Sequence, residues 1–141
     1  MKALRILCVA GTVLLLCSAA RSETRKTITV GASGADYTTI QAAVNAAPEA
    51  GAIIRIEPGI YREVVHVDKP KIEFRGDSSD PAKVELVYGN SAASTCGTGC
   101  SATLFVTGTD FYATEMTIAN DYSKTSDVPS QAVALSVRGD R

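Results

Sequence analysis

The sequence lacks a charge excess of either sign. Fourteen Lys and Arg stand against 15 Asp and Glu, a net charge of −1. No basic surplus exists to hold phosphate backbones, which argues against a nucleic-acid partner. Histidine occurs once, at His66, and no apolar run reaches the roughly 20 residues that a membrane-spanning helix needs. Disorder needs few apolar residues and a high net charge. The 45% hydrophobic and 21% charged composition excludes it for most of the chain. At 141 residues there is room for one domain.

The first twenty residues read as an address. Lys2 and Arg5 precede a 12-residue apolar run, Ile6 to Cys17, and Ser18-Ala19-Ala20 follows. A positive start, a short apolar run and small residues before a cut form the secretory-signal pattern, with cleavage expected after Ala20. A lipid anchor at Cys17 is disfavoured because Leu16 fills the position where such signals place a small residue. Residues 21–141 then carry 12 basic and 15 acidic side chains, a net charge of −3. The protein is expected to be secreted, to the periplasm, the extracellular space or a cell wall, with no membrane contact once the signal is removed. Cys96 and Cys100 remain in an oxidising compartment, where a small-loop disulfide across Gly97 and Gly99 is favoured. Two thiols and the distant His66 do not make a four-ligand metal site, so no metal is expected.

Beyond the leader, Lys26–Val30 alternates as a strand. One helix follows, with Asp36 as its expected N-cap. Ile40, Ala43, Val44 and Ala47 lie on one face, and Pro48 is the stop. After Gly51 the chain reads as short strands at Ile53–Glu57, Glu63–Val67, Lys71–Arg75, Val84–Val87, Ala102–Thr107, parts of Phe111–Ile118, and Ala132–Arg138. Such a density of short strands fits a sandwich, a barrel or a β-helix. Phe74-Arg75-Gly76, Val106-Thr107-Gly108 and Val137-Arg138-Gly139 share an apolar-x-Gly pattern at steps of 32 and 31 residues, and Ser101–Phe105 then sits over Ala132–Ser136. One coil per repeat produces such spacing. Chance recurrence of glycine-ended strands is the alternative.

The helical segment Tyr37–Pro48 resembles the opening of carbohydrate-active right-handed parallel β-helices. Ile54-Arg55-Ile56-Glu57-Pro58-Gly59-Ile60-Tyr61-Arg62-Glu63 resembles the Gly-x-Tyr-x-Glu motif of pectinesterases, and Lys71–Asp77, Ser101-Ala102-Thr103 and Thr117–Asn120 resemble later segments of that family. Gln131-Ala132-Val133-Ala134-Leu135 matches its Gln-Ala-Val-Ala-Leu motif at every position. The resemblance runs from about Ile28 to Arg141. It implies an all-β, single-stranded right-handed parallel β-helix with one short N-terminal capping helix. The implied activity is carboxylic ester hydrolysis: methyl groups leave methyl-esterified galacturonate in pectin as methanol. The resemblance also implies methyl-esterified pectin as the partner, a monomeric full-length protein and no cofactor.

In that family one Asp attacks the ester carbonyl, a second Asp is acid and base, glutamines steady the oxyanion and an Arg orients the nucleophile. Such chemistry needs one carboxylate ionised and its neighbour protonated. Carried over by motif, Gln131 corresponds to the first oxyanion-hole glutamine, which also touches substrate, and amide N–H groups can donate there without a change of charge. Thr98, three residues before Ser101-Ala102-Thr103, corresponds to a substrate-binding threonine or is a plain turn residue. Gly59, Tyr61 and Glu63 are expected to be structural. The family's Gln-Asp-Thr, Asp-Phe-Ile-Phe-Gly and Gly-Arg-Pro-Trp segments do not occur here. Asp77, Asp80, Asp110, Asp121, Asp127 and Asp140 stand in no matching motif and read as solvated turn residues. The expectation is therefore the N-terminal part of a pectinesterase domain, itself inactive and with an open apolar end. Another β-helical carbohydrate enzyme, of pectate lyase or polygalacturonase type, and a non-catalytic carbohydrate-binding protein are the alternatives.

Overall fold

The computed structural model describes residues 25–139, so the expected leader at 1–20, with its cleavage site, and Asp140 lie outside the described residues. The elements in chain order are β1 (Lys26–Val30), α1 (Ile40–Ala46), β2 (Ala52–Ile56), β3 (Gly59–Tyr61), β4 (Val65–Val67), β5 (Ile72–Gly76), β6 (Val84–Tyr88), β7 (Ala102–Val106), β8 (Tyr112–Thr114), β9 (Thr117–Asn120), α2 (Tyr122–Thr125) and β10 (Val133–Val137). They form three sheets: β1-β2-β5-β8, β3-β6-β9 and β4-β7-β10. The strand pairings within these sheets are parallel. The chain visits the three sheets in the same order on each circuit, so β2-β3-β4, β5-β6-β7 and β8-β9-β10 are three stacked coils. This is a right-handed parallel β-helix, the hand that parallel crossovers favour.

Alternation explains the core. Successive strand side chains point to opposite faces, and the register stacks the inward ones in columns. Ile28, Ile54 and Phe74 form one column, and Val65 and Leu104 begin another. All five are essentially inaccessible. The column from Val65 continues to Leu135 and the one from Val67 through Val106 to Val137, yet Leu135 is 43% and Val137 58% exposed.

The other end is covered by α1, which packs against β1, β2 and β4. Its own Ile40, Ala43 and Val44 are buried against the coil. Its N-cap is Thr39, whose Oγ1 accepts from the Ala42 N–H at 3.3 Å. Asp36 does not cap it. The Asp36 carboxylate accepts from the Thr29 N–H and hydroxyl, at 2.8 and 2.9 Å, and pins the turn to β1. That backbone donor, aided by the hydroxyl, holds its carboxyl below the usual range.

Charged side chains from the first coil complement both helix ends. Glu63 accepts from the Ile40 and Gln41 N–H groups at 2.7 and 3.0 Å, and the Lys69 ammonium donates to the Asn45 and Ala47 carbonyls. This is the charge order that the helix dipole favours. The Gln41 amide meets the backbone of His66, accepting from its N–H at 2.6 Å and donating to its carbonyl at 3.2 Å. It thereby occupies hydrogen-bonding groups of β4 that would otherwise be an open edge. Tyr61 donates to the Glu57 carbonyl at 2.8 Å. Burial, then the nearby Glu57 and Glu63 carboxylates, raise its pKa and keep it a donor.

Three expectations are corrected. Gly59–Tyr61, between the strands expected at Ile53–Glu57 and Glu63–Val67, is itself a strand in register with Val84–Leu86. The one-turn helix α2 carries no apolar periodicity to reveal it. The step from Gly76 to Gly108 is not a coil, because β5 and β7 lie in different sheets; β5 pairs onward with β8 instead. The step from β7 to β10 is one, with Ala102 opposite Val133 and Phe105 opposite Ser136. The glycines at the three corners share another cause. A Cβ at Gly76, Gly108 or Gly139 would lie within 1.8, 2.1 or 2.1 Å of a carbonyl oxygen on an adjoining coil.

Candidate active site

Thr98 and Gln131 are 33 residues apart in the chain and meet in space. Thr98 opens one turn of 3-10 helix before β7, and Gln131 lies just ahead of β10. Because β7 and β10 are stacked neighbours, the segments leading into them also stack. The Thr98 hydroxyl donates to Gln131 Oε1 at 2.5 Å. This fixes the amide with its carbonyl oxygen engaged. Gln131 is exposed, and among the described residues its Nε2 donates to no protein acceptor.

Backbone and side-chain bonds hold both segments. The Ala92 N–H donates to the Gln131 carbonyl at 2.7 Å, and the Ala93 N–H to the Ser130 hydroxyl at 3.1 Å. Ser91 is fully buried beneath this strap, bonded through its backbone N–H and hydroxyl to the Ser94 hydroxyl. Asn120 is the common anchor. Its amide donates to the carbonyls of Asn90, Ser101 and Val133, which open the strap, β7 and β10. Cys96 and Cys100 are joined by a disulfide around Thr98, with Gly97 at φ +112°, a conformation that favours glycine.

A groove of about 300 Å³ runs from this loop along the outer face of the third sheet. His66, Phe105 and Ser136 occupy successive outward steps of that face, and the His66 and Phe105 rings stack with centroids 4.6 Å apart and planes 4° from parallel. Arg138 stands beside them. Among the described residues, no group of three or more His, Cys, Asp and Glu could hold a metal ion.

Several aspartates read as solvated turns have defined partners. Asp77 pairs with Arg55 at 2.7 Å, and Asp80 accepts from the Ala82 N–H. Asp121 pairs with Arg62 at 2.6 Å and ties the third coil to the first. The Arg62 hydrogen bond, opposed by burial, holds the Asp121 carboxyl below the usual range. Burial pushes Glu73 up, but hydrogen bonds from Arg75 and Arg25 outweigh it and leave that carboxyl lowered. Sequence reasoning had no hold on Asn120, His66, Phe105 or Arg138. The only signal was their alternation out of the core, and for Asn120 its place in the Thr117–Asn120 segment.

Three stacked coils of parallel strands define the class of the fold, a right-handed parallel β-helix. The family profile described as Pectinesterase matches residues 27–141, and the chain belongs to the pectinesterase family. Probable pectinesterase 49 of Arabidopsis thaliana is 37% identical over 133 residues, covering 87% of this chain and 35% of that protein. A pectinesterase of Ralstonia nicotianae is 35% identical, with coverage of 83% and 36%. Among solved structures, pectin methylesterase from carrot superposes with a TM-score of 0.71 at 34% identity, covering 84% of this chain and 37% of that one. A pectin methylesterase mutant in complex with a hexasaccharide superposes with a TM-score of 0.70 at 26% identity, with coverage of 81% and 39%. The chain thus spans just over a third of the length of these relatives.

Proposed function

We propose that residues 21–141 are the N-terminal coils of an exported pectinesterase domain, which removes methyl esters from galacturonate in pectin and releases methanol. In this reading residues 1–20 are the secretory signal, and the protein acts as a monomer outside the cytoplasm, in the extracellular space, cell wall or periplasm. Gln131 donates its amide N–H groups to the oxyanion that forms when the ester carbonyl is attacked, a stabilisation that costs no reorganisation when the amide is already oriented. Thr98 supplies that orientation and contacts the sugar, and the Cys96–Cys100 disulfide holds the turn that presents it. The Thr98–Gln131 hydrogen bond is the observation that carries this reading: it orients the Gln131 amide against Thr98, which lines the outer-face groove.

The nucleophilic and acid/base aspartates of the family lie in segments that these 141 residues do not contain. The 141-residue chain alone is therefore expected to release no methanol from esterified pectin. A chimera joining residues 27–141 to the remaining coils of the carrot relative is expected to release it. Methanol release by the 141-residue chain alone, or a folded chimera without activity, would overturn the assignment.

A further inference from the structure

Asn120 ends β9, half-buried where the chain leaves the second sheet for the third. An amide in such a place costs stability unless its polar atoms are bonded, and both ends of this one are. Oδ1 accepts from the Tyr122 N–H at 3.0 Å. Nδ2 donates to the carbonyls of Asn90, Ser101 and Val133 at 2.8, 3.1 and 3.0 Å. Three acceptors thus share the N–H groups of one amide, and the bond from Tyr122 fixes which end of the side chain faces them.

Each of those carbonyls lies beside one part of the candidate site. Ser101 follows Thr98 by three residues, and its hydroxyl and backbone N–H both donate to the Thr98 carbonyl, at 2.9 and 3.2 Å. Val133 follows Gln131 by two residues. Asn90 opens the strap whose Ala92 N–H donates to the Gln131 carbonyl at 2.7 Å. The strand ladder does not reach this far: β7 and β10 come into register at Ala102 and Val133, after both site residues. Thr98 and Gln131 are themselves exposed. A hydrogen bond between two exposed side chains gains no more than ordering a glutamine costs. The pair therefore depends on backbones that are held at the right separation, and Asn120 is the side chain that bonds all three segments.

We propose that Asn120 is a positioning residue for ester hydrolysis: it holds the Thr98 and Gln131 segments in the arrangement that orients the Gln131 amide towards the forming oxyanion. It touches no reacting atom and acts through Gln131. The proposal rests on the reading of Gln131 as an oxyanion donor and adds to that site a residue of the neighbouring sheet. The oxyanion exists only beyond the ground state, so a misplaced amide lowers kcat and leaves substrate binding largely intact.

The first test needs no activity. Gln41 and Gln131 are the two glutamines of the chain, so 15N-labelled glutamine reports on them alone. In the 141-residue chain, Asn120→Ser should reduce the order of the Gln131 side-chain amide, seen by 15N relaxation, as much as Thr98→Val does. Gln41, held by His66 and Asn45, should not change. The second test is kinetic, in the chimera with the carrot coils. Asn120→Asp and Asn120→Ser should each lower kcat by about tenfold, within what a small misplacement of a catalytic group costs, and change KM by less than about threefold. In the Gln131→Leu background the same substitutions should cost less than about twofold, because residues that act through one another are not additive. Glu63→Ala, which weakens the distant α1 end, should leave kcat unchanged. An unchanged Gln131 amide, an undiminished kcat, an equal loss in the Gln131→Leu background, a matching loss in Glu63→Ala, or failure of both Asn120 variants to fold would overturn the role. An inactive unmodified chimera would instead overturn the pectinesterase reading, and the order of the Gln131 amide would still decide for or against Asn120.

Discussion

The two ends of the solenoid follow the same inward alternation and meet different fates. At the α1 end, Ile28, Val30 and Ile54 are at most 1% exposed. At the β10 end, Leu135 and Val137 occupy the same columns as the buried Leu104 and Val106 and lie 43% and 58% exposed. Side-chain type does not distinguish them. A residue in a stacked-coil fold is buried only when something covers the coil it stands on. The first coil has α1, clamped by Glu63 and Lys69, with Gln41 on the edge of β4. Among the described residues, the third coil presents apolar side chains and, in all three sheets, a strand paired along one edge only.

The largest test of this contrast is a pair of truncations. Phe74→Ala in the covered core should cost about 3–5 kcal/mol, and Leu135→Ala, inward-facing in the same fold, no more than about 0.5 kcal/mol. Urea midpoints of the two variants measure both, and equal losses would break the comparison. Next in size is the clamp. Glu63→Ala leaves two N–H groups of α1 without their carboxylate and should cost about 1–2 kcal/mol. Hydrogen exchange should rise in α1 and β4 and stay unchanged in β10.

The smallest effect is acid sensitivity. Glu73 and Asp121 both have carboxyl pKa values lowered in the folded state, from ordinary values of 4.5 and 3.8. Their stabilisation is complete above those ordinary values and is lost as pH falls through the lower folded ones. Urea midpoints measured from pH 6 downward should be flat and then fall in the acid range. Arg62→Gln should remove the Asp121 share of that fall and loosen the third coil while leaving α1 protected.

Much of this was legible in particular residues. The burial of Ile40, Ala43 and Val44 follows from helical spacing. The register of β7 on β10 follows from Ser101–Phe105 aligning over Ala132–Ser136, because those strands are successive turns in one sheet. The same pattern misled between Gly76 and Gly108. Their shared cause is close backbone approach at corners, which recurs in different sheets without marking one coil. Coil lengths also vary: Lys26 faces Ala52, Ala52 faces Ile72 and Glu73 faces Tyr112, so no fixed period exists to be read. Gln131 and Thr98 were found by motif, and their hydrogen bond follows from the stacking of β7 on β10. The Asn120 anchor and the His66–Phe105 stack join residues on different coils, and nothing local in the sequence marks them.

The most direct test of the central claim, that Gln131 is an oriented oxyanion donor, is the kcat of Gln131→Leu in the chimera with the carrot coils. Loss of one such donor should lower kcat for methanol release by about 10²–10³, with circular dichroism and urea midpoint unchanged. A kcat within about threefold of the parent chimera, well below that expected loss, would contradict the account.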